Sequence, residues 1–210
     1  ALQSEIPSIK ALMDKGELSM EGIIEGVRNY SEEHGYFFIN QMENPHNPEG
    51  HYRTTGPEIW EQTDGKVDIY VAMAGTGGTL LGTAKYLKEK NPNLKVVGVQ
   101  ADEDSRIGSS SGQDAIDGVA PFHNVPTRFT TPFMLGADKQ FDEIIEVSSL
   151  TASDTAKELL ATDGLFLGSS AAGAFTAARV LAERPENKGK NIVVIAPDDG
   201  TKYMSLQLYK

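Results

Sequence analysis

An apolar run carrying Val67, Ile69 and Val71 passes through Met73-Ala74-Gly75-Thr76-Gly77-Gly78-Thr79 into a helix-like segment, residues 80–90. A strand, a glycine-rich turn and a helix start, in that order, constrain the chain to an α/β fold and make the turn an anion cradle. Glycine lets backbone N–H groups turn inward with no Cβ in the way. The helix start adds unsatisfied donors and a partial positive charge. Thr76 and Thr79 bring hydroxyl donors, and Thr79 is placed to N-cap the helix. The ligand this predicts is a phosphate group.

Three kinds of phosphate loop can be compared with it letter by letter. A Walker A loop ends in Gly-Lys-Ser/Thr, and no lysine follows Gly78. A dinucleotide fingerprint wants glycine at its first, third and sixth places; Gly75 and Gly77 fit, but the sixth place is Leu80. Asp102, just past the apolar residues 96–99, keeps that reading open as a candidate ribose-binding acid. The third kind, the Gly-Thr-Gly-Gly-Thr turn of pyridoxal-phosphate enzymes, agrees at every letter.

The agreement extends beyond the loop. Gln41-Met42-Glu43-Asn44-Pro45-His46-Asn47-Pro48, Thr54-Thr55-Gly56-Pro57-Glu58-Ile59-Trp60, Gly168-Ser169-Ser170-Ala171-Ala172-Gly173-Ala174 and Ile195-Ala196-Pro197-Asp198-Asp199-Gly200-Thr201-Lys202-Tyr203-Met204-Ser205 follow in family order. Over roughly residues 18–205 the chain resembles the C-terminal part of the cysteine synthase and cystathionine β-synthase group of pyridoxal-phosphate enzymes, the tryptophan-synthase-β-like class. The resemblance implies residues 1–45 as the end of a smaller, N-terminal α/β domain and residues 46–210 as a larger cofactor-binding domain. It implies pyridoxal 5'-phosphate as cofactor and β-replacement or β-elimination on a serine- or cysteine-like amino acid. The second reactant would be a thiol or sulfide, and the assembly a homodimer.

Composition narrows the partners. The 210 residues carry 30 acidic and 19 basic side chains, a net charge of −11, which argues against a general nucleic-acid or membrane-binding surface. No apolar segment approaches membrane-spanning length. No secretion leader is expected, so a cytoplasmic setting is the default. Cysteine is absent, so disulfides and thiolate metal sites are excluded. His34, His46, His51 and His123 lack metal-ligand spacing, and no metal is expected.

Periodicity predicts helices over residues 17–33, 54–62, 79–90, 151–161 and 171–183, with Asp154 at capping-box distance in the fourth. Strands are predicted at 36–39, 67–72, 95–100, 143–147 and 191–196, with residues 44–48 as a break after the first. Residues 103–140 read as a long connection of functional surface. The alternation predicts a doubly wound, mostly parallel sheet in three layers, with part of a second, smaller α/β domain.

The resemblance assigns site roles residue by residue. Gly75, Thr76, Gly77, Gly78 and Thr79 hold the cofactor phosphate, and Gln41 helps hold the substrate carboxylate. Asp199 departs from the family pattern, standing where many relatives carry a serine against the pyridine nitrogen. A carboxylate there would keep the nitrogen protonated, and the rival is a plain Pro-Asp-Asp-Gly turn. Ser170 is a candidate polar contact on the cofactor side, or part of a small-residue helix seam. Ser105, Ser109, Ser110 and Ser111 lack a matched histidine and acid and read as loop residues. Relatives carry a catalytic lysine in a Ser-x-Lys segment followed by an Asn-Thr-Gly loop, and no such loop occurs here. Ser8-Ile9-Lys10 has the bare lettering but lies too close to Gln41. The chain therefore reads as lacking the Schiff-base lysine. It would be completed by a missing N-terminal polypeptide, or be a truncated, non-catalytic paralogue or half of a split enzyme.

Overall fold

The computed structural model describes residues 5–210, apart from the Gln207 side chain. Four strands, β1 (Ile69–Met73), β2 (Lys95–Ala101), β3 (Glu143–Val147) and β4 (Ile192–Val194), form one parallel sheet in the order β3-β2-β1-β4. The first three strands step outward in one direction and β4 returns to the other side of β1. The order therefore reverses between β1 and β4. In open α/β sheets the crevice at the carboxyl ends of such strands is where ligands bind.

Alternation along β1 builds the layers. Ile69 and Val71 face a core with Val97, Val99, Ala152, Ala156, Ala172 and Leu181. Tyr70 and Ala72 face the opposite core with Leu80, Ala84, Leu87 and Val96. Helix α5 (Gly78–Lys90) covers the second face, and α6 (Ser149–Asp163) with α7 (Ser169–Ala182) covers the first. The three-layer, doubly wound expectation is met.

Several local expectations change. Residues 36–39 form no strand: the one sheet among the described residues does not include them, and Phe37 is 91% exposed. β-prone side chains alone do not make a strand without a neighbouring ladder. A helix unmarked by the sequence reading, α1 (Pro7–Lys15), packs Ile9 against Gly26 of α2 (Met20–Glu33), which Ser19 caps through the Gly22 amide at 3.1 Å. Residues 44–48 do not end structure but begin it. Helix α3 (His46–Arg53) carries Pro48 in its first turn, where a missing N–H costs nothing, and α4 (Thr55–Gln62) follows at once. Ser148, not Asp154, contributes the α6 cap, accepting from the Thr151 amide at 3.1 Å. Residues 103–140 hold only short 3-10 turns, tied to the sheet by buried Gln100. Its side-chain oxygen accepts from the Phe122 and His123 amides, each at 3.0 Å.

Candidate active site

At the switch point the chain leaves β1 through Ala74 and turns over Gly75–Gly77 into α5. Gly77 sits at φ +94°, the left-handed region that a side chain rarely adopts, and it, not Thr79, is the N-cap. Thr79 is instead the second helical residue. Gly75 is glycine for space, because a Cβ there would meet the Gly118 carbonyl oxygen at 2.5 Å. Of the first amides of α5, that of Gly78 reaches Thr76 Oγ1 at 3.2 Å. Those of Thr79 and Leu80 have no partner within the helix.

The loop borders a cavity of about 240 Å³. Its walls include Gln41, Met73, Gly75, Thr76, Gly77, Thr79, Leu80, Gly118, Val119, Ser170, Ile195 and Pro197. Gln41, four residues of the glycine loop and Ser170 thus come together. Gly78 stands behind the wall and Asp199 outside it. Two helix starts converge here, that of α5 and that of α7, whose second residue is Ser170. Both dipoles favour an anion or a polar group in the space between them.

Residues beyond the motifs brace the loop. Asn47 and His51 stand four apart on α3, hence on one face. Asn47 Nδ2 donates to Thr76 Oγ1 at 2.9 Å and to the Gln41 backbone oxygen at 2.7 Å. His51 Nε2 lies 3.1 Å from Thr79 Oγ1 while Nδ1 meets Thr55 Oγ1 at 2.9 Å. Burial lowers the His51 pKa and so disfavours the charged form of the ring that bridges the two threonines. From the long connection, Thr131 Oγ1 donates to the carbonyls of Gly75 and Thr76 at 3.1 and 3.2 Å. Tyr70, whose hydroxyl pKa is raised by complete burial, donates to the Thr79 oxygen at 3.3 Å. The helical spacing of Asn47 and His51 was a usable signal; nothing in the lettering pointed to Thr131.

On the opposite wall the Pro-Asp-Asp-Gly segment splits its two carboxylates. Asp199 is exposed and caps a 3-10 turn, accepting from the Thr201 amide at 2.9 Å and from the Thr201 hydroxyl. The Thr201 hydroxyl and amide hold its pKa below the usual carboxylate value. Asp198 turns inward, taking the Tyr203 hydroxyl at 2.8 Å, and one of its oxygens is buried with no hydrogen-bond donor. Burial, and then Asp198, push the Tyr203 hydroxyl up to about 12. Asp102, the candidate ribose acid, is committed to the Ser105 amide at 3.0 Å. Lys10 is exposed on α1.

The arrangement fits a phosphate ester: glycines that admit close approach, two helix starts, two threonine hydroxyls and apolar walls for a flat ring. Residues 12–198 match the family described as pyridoxal-phosphate dependent enzyme. The cysteine synthase of Staphylococcus aureus is 34% identical over 200 residues; the match takes in 94% of this chain and 62% of that protein. The O-acetylserine sulfhydrylase isoform 3 of Entamoeba histolytica superposes with a TM-score of 0.72 at 35% identity, over 90% of this chain and 55% of its own. A hydrogen sulfide-producing enzyme of Fusobacterium nucleatum gives 0.71 at 32% identity, over 87% and 61%. The chain thus spans about three-fifths of these relatives. The matched residues take in every segment that builds the cavity, and the chain belongs to the pyridoxal-phosphate dependent enzyme family.

Proposed function

We propose that the whole protein is a pyridoxal-phosphate-dependent lyase or transferase. It would replace or eliminate the β-substituent of a serine- or cysteine-like amino acid, in the manner of cysteine synthase, cystathionine β-synthase or a cysteine lyase. One observation carries this: Gln41 and the glycine loop border the same small cavity at the switch point. When bound, the cofactor supplies an electron sink that stabilises negative charge at the substrate Cα. The chain's own part is to hold and to exclude. Gly75, Thr76, Gly77 and Thr79 grip the phosphate through the start of α5, Gly78 holds the Thr76 hydroxyl from behind, and the Gln41 amide orients the substrate carboxylate. Met73, Val119, Ile195 and Pro197 give the ring an apolar wall.

Opposite the phosphate we assign the ring nitrogen to Ser170 in place of Asp199. Ser170 lies on the cavity wall, whereas Asp199 is exposed and spent on Thr201. Loss of one such hydrogen bond is worth about a fivefold change. Ser170→Ala is expected to weaken pyridoxal phosphate binding by about that factor, with Asp199→Ala within twofold of wild type. Fluorescence titration checks both, and the reverse order would restore Asp199 to the role.

Residues 1–45 would belong to a smaller domain and 46–210 to the larger. The family resemblance supports a cytoplasmic homodimer acting on an amino acid and a thiol or sulfide. A second reading, a truncated paralogue or one half of a split enzyme, rests on Ser8-Ile9-Lys10 lying too close to Gln41, with no Asn-Thr-Gly loop between them. Intact mass and the visible absorption of the native protein separate the two. Added polypeptide with bound cofactor supports the enzyme. A native protein of these residues alone, with no cofactor, supports the paralogue.

A further inference from the structure

Two α3 side chains reach the glycine loop, but only Asn47 also hydrogen-bonds the backbone of Gln41. Its Nδ2 sits 2.7 Å from the Gln41 carbonyl oxygen and 2.9 Å from Thr76 Oγ1. A backbone carbonyl only accepts, so the first contact fixes the amide with its NH2 toward both. Thr76 Oγ1 also receives the Gly78 amide at 3.2 Å. A hydroxyl has two lone pairs and one proton; with both lone pairs occupied, the proton is left for a third group.

Thr76 borders the cavity, and the geometry points to Asn47 as a positioning residue that sets the polarity of Thr76. Held by Asn47, the hydroxyl is a donor for a phosphate oxygen, and that donor is tied to the backbone of the residue we assign to the substrate carboxylate. The two grips therefore share one amide. Gly78 is part of the device, since a Cβ there would lie 1.9 Å from Asn47 Oδ1. This inference rests on the phosphate reading above and names the residue that makes it work.

Calorimetric titration of the 210-residue chain with pyridoxal phosphate, inorganic phosphate and phosphate-free pyridoxal tests it. Asn47→Ala is expected to weaken both phosphate-bearing ligands about fivefold. Asn47→Asp should cost about tenfold or more, because a carboxylate accepts where the amide donated and repels the anion. Pyridoxal should bind all forms alike. Thr76→Ser should hold wild-type affinity and Thr76→Val should lose it, a pair that leaves Asn47 untouched. Adding Asn47→Ala to Thr76→Val should then change little, because the effect runs through the lost hydroxyl. Unaltered phosphate affinity in Asn47→Ala or additive losses in the double variant each overturn the inference while leaving the site reading intact. Full affinity in Thr76→Val overturns it together with the place given to Thr76 in that reading. A wild-type chain that binds neither phosphate ligand overturns both.

Discussion

Replacing Gly82 by alanine is expected to destabilise the chain by about 2 kcal/mol, although the substitution improves helix propensity. Gly82 lies inside α5, where alanine alone would gain about 1 kcal/mol. Its Cβ, however, would fall 2.1 Å from the Pro48 carbonyl oxygen and 2.9 Å from the Pro48 carbonyl carbon. Those are backbone atoms of α3, so no rotamer change relieves the contact and the helices must separate. For a chain of this size the melting temperature should fall by about 4–8 °C. Separation also carries Asn47 and His51 away from Thr76 and Thr79, so pyridoxal phosphate affinity should fall with stability. Gly50→Ala is the internal control. It lies on α3 with nothing within 4 Å of its new methyl and should be neutral or slightly stabilising. Thermal melts of both variants decide the matter: a Gly82→Ala chain that melts at or above wild type would show that α3 and α5 are not in close contact.

Gly82 also marks where the reading of the sequence stopped. The layers were legible because each strand next to the glycine loop is a short apolar run and the helices that cover the sheet, α5, α6 and α7, stand between those runs at helical length. The cradle was legible because few arrangements use so many glycines between a strand and a helix. What stayed hidden depended on partners distant in sequence. Asn47 and Thr76 are 29 residues apart, and Thr131 meets the carbonyl of Gly75 across 56. Asn44 to Pro48 read as a break because proline was weighed without its position in a first helical turn. Residues 36–39 have strand lettering, yet a strand is a property of a pair. The two aspartates after Pro197 are adjacent letters with opposite directions, and only the turn geometry separates a capping Asp199 from an inward Asp198. Ser170, read as a polar contact or a seam residue, gained its place from the convergence of two helices that no local pattern reveals.

Acid should unfold the chain partly through one carboxylate. Glu143, at the start of β3, takes a bidentate pair from Arg184 at 2.6 and 2.8 Å and a third contact from Lys95 at 2.7 Å. The Arg184 hydrogen bonds chiefly, with Lys95, lower its pKa from 4.5 to about 2. That difference corresponds to roughly 3 kcal/mol, and solvent screening of a side chain 24% exposed reduces it to about 2. The folded carboxylate resists the proton that the unfolded chain accepts near 4.5. The contribution is therefore complete above 4.5, shrinks as pH falls through the interval toward 2, and is gone below it. Glu143→Gln removes the charge at every pH, so the variant should be about 2 kcal/mol less stable than wild type at neutral pH. The two should converge only as the pH reaches about 2, because other carboxylates, Asp142 among them, titrate in both proteins and largely cancel in the difference. Urea unfolding of the pair across this range measures it. A gap between them that does not close on acidification would mean that Glu143 stabilises the sheet edge through packing and not through its charge.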